Sequence, residues 1–161
     1  MKKIIVVFVM ILVAGCGPIQ INMDSLINPI SCNVEVKDNR PYKYIASAAY
    51  GPIEIIPEDS IEKILKAKLC NNKTFYEWYN KDKSIYINID ELDFRIGNFI
   101  TYIDFILYMN GSINIDTYNQ QIKAVAVVQS NGFIRSFIPT LIDKCIDDFV
   151  SKVEKTIIQQ G

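Results

Sequence analysis

Residues 84–98, SIYINIDELDFRIGN, decide how the rest of the chain is read. Ile85, Ile87 and Ile89 alternate with polar neighbours, and so do Leu92, Phe94 and Ile96, yet the two sets fall on opposite parity. Successive side chains of a strand point to opposite faces, so both sets reach one core only if an extra residue is inserted at Asp90-Glu91. The pattern predicts a strand with a bulge at that point.

Two more strands follow. Residues 101–116, TYIDFILYMNGSINID, keep Ile103, Phe105, Leu107, Met109, Ile113 and Ile115 on one parity across Gly111, which predicts one long strand bent at the glycine. Residues 121–130, QIKAVAVVQS, place Ile122, Ala124, Ala126 and Val128 on one face, with Tyr118-Asn119-Gln120 as the turn before them. The last segment, from about Ile138 to Gln159, sets Leu141, Ile142, Cys145, Phe149, Val150 and Val153 against a charged face, an amphipathic helix that covers the sheet.

Upstream, Pro57 precedes Glu58 and Asp59, and Ile61, Ile64, Leu65 and Leu69 recur at helical spacing. A helix from about Pro57 to Cys70 is expected, with Asn71-Asn72 ending it. Val34 and Val36 alternate within CNVEVKD, a short strand stopped by Asp38-Asn39-Arg40-Pro41. Residues 42–56 read as a loop or irregular edge segment. The expected fold is α+β, ordered β-α-β-β-β-α: a one-layer, mostly antiparallel sheet of about four strands with two helices on one face.

The N-terminus reads differently. Lys2 and Lys3 precede an apolar run from Ile4 to Ala14. As a helix it would be about 16 Å long, roughly half the hydrocarbon core of a bilayer, so it suits a signal peptide better than a membrane span. Val13-Ala14-Gly15-Cys16 resembles the bacterial lipobox. That resemblance implies cleavage after Gly15, a diacylglycerol on the Cys16 thiol and acylation of its amino group. Residues 1–15 are then a removed signal peptide, residues 16–31 a lipidated tether reaching on the order of 50 Å, with Ile19, Ile21, Leu26 and Ile27 able to dock part of it onto the body, and residues 32–161 a single α+β domain. Two or three acyl chains hold a protein firmly where one binds only marginally. In lipoprotein sorting, aspartate after the cysteine resembles an inner-membrane retention signal. Gly17 stands there instead, which favours the periplasmic face of the outer membrane in a cell with two membranes.

Composition narrows the chemistry. Loss of Lys2 and Lys3 leaves 15 basic against 18 acidic residues, a net charge of −3 without clustered Lys or Arg, so nucleic acid is not an expected partner. There is no histidine, which removes the commonest general base and metal ligand. Cys32, Cys70 and Cys145 lack the spacing of a zinc or redox motif. Neither a metal nor another cofactor is expected. A helix that follows a strand runs back beside it, which brings Cys70 near Cys32. A disulfide closing that loop of about 39 residues stabilises by roughly 4 kcal/mol in the chain-entropy model. Cys145, on the apolar helix face, reads as a buried free thiol.

With that order of elements, the chain resembles the YajG family of small bacterial lipoproteins. The lipobox, the first strand ending in Asp38-Asn39-Arg40-Pro41, the Ile61–Leu69 helix, the long strand at residues 100–116 and the closing amphipathic helix carry the likeness. It implies an envelope binding module and supplies no catalytic residues.

Candidate catalytic groups are few. Ser60-Ile61-Glu62-Lys63 matches the Ser-x-x-Lys of penicillin-binding proteins without that fold's other motifs. Asp90, Glu91 and Asp93 offer paired carboxylates that a bulge would expose in any case. Asp38 and Arg40 suit a recognition point, but an Asx-turn at Asp38, stiffened by Pro41, also accounts for them structurally. Tyr42, Tyr44, Trp78 and Tyr79 lie in connecting segments, where aromatic residues suit either a partner surface or satellite packing under the sheet. The expected function is non-enzymatic: a lipid-anchored envelope protein that engages another envelope protein. A carrier of a lipid or other hydrophobic ligand is the alternative.

Overall fold

The computed structural model describes residues 18–28, 32–47, 52–75, 84–97, 103–130 and 134–160. The leader, Gly15, Cys16, Trp78 and Tyr79 lie outside the described residues. Strands β1 (Ile19–Asn22), β2 (Val34–Asp38), β3 (Tyr44–Ser47) and β4 (Ile53–Ile56) precede helix α1 (Ser60–Asn71). Strands β5 (Ile85–Gly97), β6 (Ile103–Ile115) and β7 (Tyr118–Ser130) follow, then helix α2 (Ile134–Gln160).

The fold is α+β. Strands β5, β6 and β7 form an antiparallel meander, and β3 joins it to a smaller sheet in the order β1-β4-β3. Pairs β1/β4, β2/β5 and β3/β5 are parallel and short. Both helices pack on one face: α1 against β2 and β4, and α2 against β7, β6 and β1. The residues facing them are closed off from solvent, among them Ile87, Ile89, Leu107, Met109, Ile142 and Phe149. The opposite face is open, with Tyr86, Val125 and Val127 exposed.

The parity change in β5 is a bulge between Ile89 and Glu91, and both apolar sets, apart from half-buried Ile96, enter the core. Strand β6 runs unbroken across Gly111, which pairs with Ile89 on one side and Ile122 on the other. A Cβ on Gly111 would stand 2.2 Å from the Asn88 carbonyl oxygen and 3.0 Å from Cζ of Phe149. Glycine lets the α2 phenylalanine ring close onto the sheet just where β5 bulges.

Four expectations need correction. The sheet has seven strands rather than about four, because β1, β3 and β4 come from segments read as tether and loop. Residues 19–22 belong to the domain: Ile19 and Ile21 are buried, as is Met23 beyond them, and β1 pairs with β4. Four residues are too short for a period to stand out, and the burial that fixes β1 comes from distant elements.

The β6–β7 turn is Asp116-Thr117, since Ile115 already pairs with Tyr118. Asp116 supplies the positive φ of 50° that a tight hairpin needs, a role aspartate tolerates less conspicuously than glycine. The helices are displaced by a turn or less. Helix α1 starts at Ser60, whose N–H donates to the Pro57 carbonyl, so Pro57 leads into the helix. Helix α2 starts at Ile134 and takes Pro139 inside it, while Phe137 in that added turn packs on Phe105 at 4.2 Å between centroids.

Outer strand β7 is partly covered by α2. The Val125 N–H donates to Asp148 at 3.0 Å, and Lys152 Nζ donates to the Lys123 carbonyl at 2.8 Å and pairs with Asp148 at 2.7 Å. Burial raises the Asp148 pKa, but Lys152 and the Val125 amide outweigh it and hold the carboxyl below its ordinary value. Lys68 links the helices through Asp143 and Asp147.

Candidate functional site

The candidate site grows from the way one edge of β5 is shared. Strand β2 covers Ile85–Ile89 and β3 reaches Asp93 and Phe94, so residues 39–43 leave the sheet in the gap, opposite the bulge. The Asn39 N–H donates to the Ile89 carbonyl at 2.8 Å, the last ladder bond before the chain turns out.

Asp38 organises this junction. It is buried, and its Oδ1 accepts the Arg40 N–H at 3.1 Å, the Asx-turn expected from the sequence. Arg40 then folds back and grips the same carboxylate with Nε at 2.8 Å and Nη2 at 2.6 Å. Lys43 donates to the Asp38 carbonyl at 2.8 Å, and Glu62 of α1 accepts the Asp38 N–H at 2.6 Å. Burial pushes the Asp38 pKa up, yet the Arg40 hydrogen bonds and charge, with Lys43, bring it below the ordinary value. Arg40 Nη1 is buried without a partner among the described residues. A carboxylate so fully engaged is a structural lock, not an acid or base.

This lock presents two aromatic rings. Tyr42 and Tyr44 stack at 5.3 Å between centroids, 63% and 37% exposed. They stand between two open grooves. One, of about 570 Å³, is lined by Lys43, Glu54, Ile56 and Glu58; the other, of about 330 Å³, by Arg40, Asp90, Leu92 and Asp93. Rings with apolar faces and hydroxyl tips, on a base that does not have to be ordered first, suit protein recognition.

The other candidates are engaged separately, although Asp90, Glu91 and Asp93 all line the second groove. Among the described residues Ser60 Oγ is buried without a partner, while Lys63 pairs with Asp59 at 2.8 Å, so serine and lysine are not joined. Glu91 accepts from Asn110, and Asp93 pairs with Arg95 at 2.6 Å. Among the described residues no group of three His, Cys, Asp or Glu side chains is placed to hold a metal ion.

Cys32 and Cys70 form a disulfide with their Cα atoms 5.7 Å apart, tying the chain just before β2 to the end of α1. Cys145 is buried under the sheet, its Sγ 3.5 Å from the Leu107 carbonyl. Burial, helped by the Asp148 charge, pushes its pKa up to about 12.

Sequence reasoning missed a second surface. On the open face Ile106 pairs with Val127 and Tyr108 with Val125, and the Arg95 guanidinium lies 4.9 Å from the centre of the Tyr108 ring. Its signal was present as apolar residues on the off parity of β6 and β7. Among the described residues no helix is long and apolar enough to cross a membrane.

No family model matches the chain, and no curated protein matches it. Among solved structures, a crystal structure of an uncharacterised protein shares the fold, with TM-score 0.56 and 7% identity over 88% of this chain and 99% of that one. The hypothetical protein CT253 from Chlamydia trachomatis aligns at TM-score 0.44 and 7% identity, over 80% of this chain and 99% of its own. Lipoprotein GNA1162 from Neisseria meningitidis aligns at TM-score 0.26 and 12% identity, over 88% and 99%. The last two likenesses are too slight to bear on fold or function. What the comparisons establish is a shared α+β fold alone.

Proposed function

We propose that this chain is a non-enzymatic accessory protein of the bacterial cell envelope, anchored by lipid on Cys16, that holds Tyr42 and Tyr44 against another envelope protein. The observation that carries the reading is the stacked, exposed tyrosine pair on a buried Asp38–Arg40 lock. The lipobox supports the location, and Gly17 favours the periplasmic face of the outer membrane where the cell has two. The resemblance to the YajG family agrees with a binding role. The carrier alternative needs a chamber between sheet and helices, whereas the described residues there are closed-packed and the grooves are open at the surface.

The test is a photocrosslinking amino acid at Tyr42 in the lipidated chain, in its own cells. A discrete protein adduct is expected at position 42, weakened by Tyr44→Ala, lost with Cys16→Ala, and absent with the crosslinker at exposed Asn119. Indistinguishable patterns at 42 and 119 would remove the proposed surface. Native mass spectrometry of the delipidated domain should show no bound lipid, and a stoichiometric lipid there would favour the carrier.

A further inference from the structure

The register of the small sheet fixes how far the domain can stand from its anchor. Ile19 pairs with Ile53 and its N–H donates to the Pro52 carbonyl at 3.0 Å, so the sheet begins three residues after Cys16. Those three residues reach at most about 10 Å. Ile19, Ile53 and Ile45 share a level, and the β3–β5 register continues that level to Leu92. Strand β5 runs on from there to Gly97, about 17 Å farther along the strand in the direction from which β1 enters. The stub is shorter than the overhang.

Three of the chain's connections start from the same end. Strand β3 leaves the sheet at Ser47 and the chain returns at Pro52; β5 leaves at Gly97 and returns at Ile103; β7 leaves at Ser130 and returns at Ile134. At the opposite end lies the β6–β7 turn, with Asp116.

We propose that the end of the sheet where β1 begins and β3, β5 and β7 finish is apposed to the lipid surface that holds Cys16. The strands of the meander stand on the bilayer, and the β6–β7 turn points away from it. This rests on lipidation of Cys16, and its test separates the two ideas.

Lipidated protein is reconstituted into vesicles of phosphatidylethanolamine and phosphatidylglycerol, with an environment-sensitive fluorophore on Gln129→Cys or Asn119→Cys. Both sites are exposed on β7, ten residues or about 33 Å apart. Background labelling is prevented because Cys32 and Cys70 are bonded and Cys145 is buried. Quenching by headgroup-labelled lipid should be several-fold stronger at 129 than at 119. Equal or reversed quenching in protein that floats with the vesicles overturns the apposition while leaving the anchor intact. Flotation undiminished by Cys16→Ala overturns the anchor instead. Dimerisation of the unlipidated protein with the 129 probe shielded in the absence of vesicles assigns this end to a second copy, which also overturns the proposal.

Discussion

Along one edge, β5 pairs with a single partner, β6, from Ile85 to Gly97, broken only by the bulge at Asp90; along the other it is met by β2 and then β3, placed end to end. The first edge is held by repeated ladder bonds and alternating apolar pairs, each contributing a little. The second has a gap in which the chain must turn out and back, and a single buried ion pair closes it. A continuous edge spreads its stability over many residues, whereas a divided edge concentrates it in a few. The divided edge is also the one that displays Tyr42 and Tyr44.

Substitutions on each edge test that contrast. The largest effect is expected from Arg40→Ala, which leaves the buried Asp38 carboxylate without its chief partner. Removing one member of a buried pair costs about 3–5 kcal/mol, read from the midpoint and slope of urea unfolding. A loss no larger than that of an exposed pair would show that the junction is not a lock. Asp38 also gives the contrast a pH signature. Its folded pKa lies below the ordinary value of 3.8, so its contribution is whole above that pH and is lost as pH falls through the lower folded value. Asp38→Asn should flatten the acid limb of the stability profile.

Next comes Cys32→Ser with Cys70→Ser, which frees the start of β2 from α1. About 3 kcal/mol is expected, somewhat below the chain-entropy ceiling of about 4. Hydrogen exchange should rise first in β2 and spare the β6–β7 ladder. Uniform acceleration across both edges would mean that they unfold as one unit and are not separable.

Gly111→Ala strikes the continuous edge at its tightest point, at a cost of about 2 kcal/mol. Adding Phe149→Leu relieves the ring contact and leaves the Asn88 carbonyl contact, so partial rescue in thermal unfolding is the expected result. The smallest change, about 0.5–1 kcal/mol, is Asp148→Ala, which uncovers the Val125 amide on outer strand β7. Slower monomer recovery after heating would report the uncovered edge better than stability does.

The continuous edge was legible in the sequence, whereas of the divided edge only β2 and the turn after it were. Opposite parity on either side of Asp90 fixed the bulge, and one parity from Ile103 to Ile115 fixed β6, because a long half-buried strand must alternate. Strands β1, β3 and β4 have four residues each, and their burial depends on distant partners that no local period records. At the site, the Asx-turn at Asp38 could be read from DNRP. That Arg40 would turn inward, and that Tyr42 and Tyr44 would stack outward, depends on the gap between β2 and β3, which is a property of pairing. Trp78 and Tyr79 lie outside the described residues.

Burial of Cys145 bears on which cysteines can pair. Three cysteines beyond Cys16 allow three alternative single bridges, and an oxidising compartment does not by itself choose among them. Burial pushes the Cys145 pKa up to about 12, which keeps the thiol protonated at neutral pH, and its side chain is closed off from solvent. Once α2 has docked, the odd cysteine is withdrawn from exchange and the remaining two have only each other. In the folded domain the packed core thus leaves Cys145 unavailable to either partner of the Cys32–Cys70 bridge.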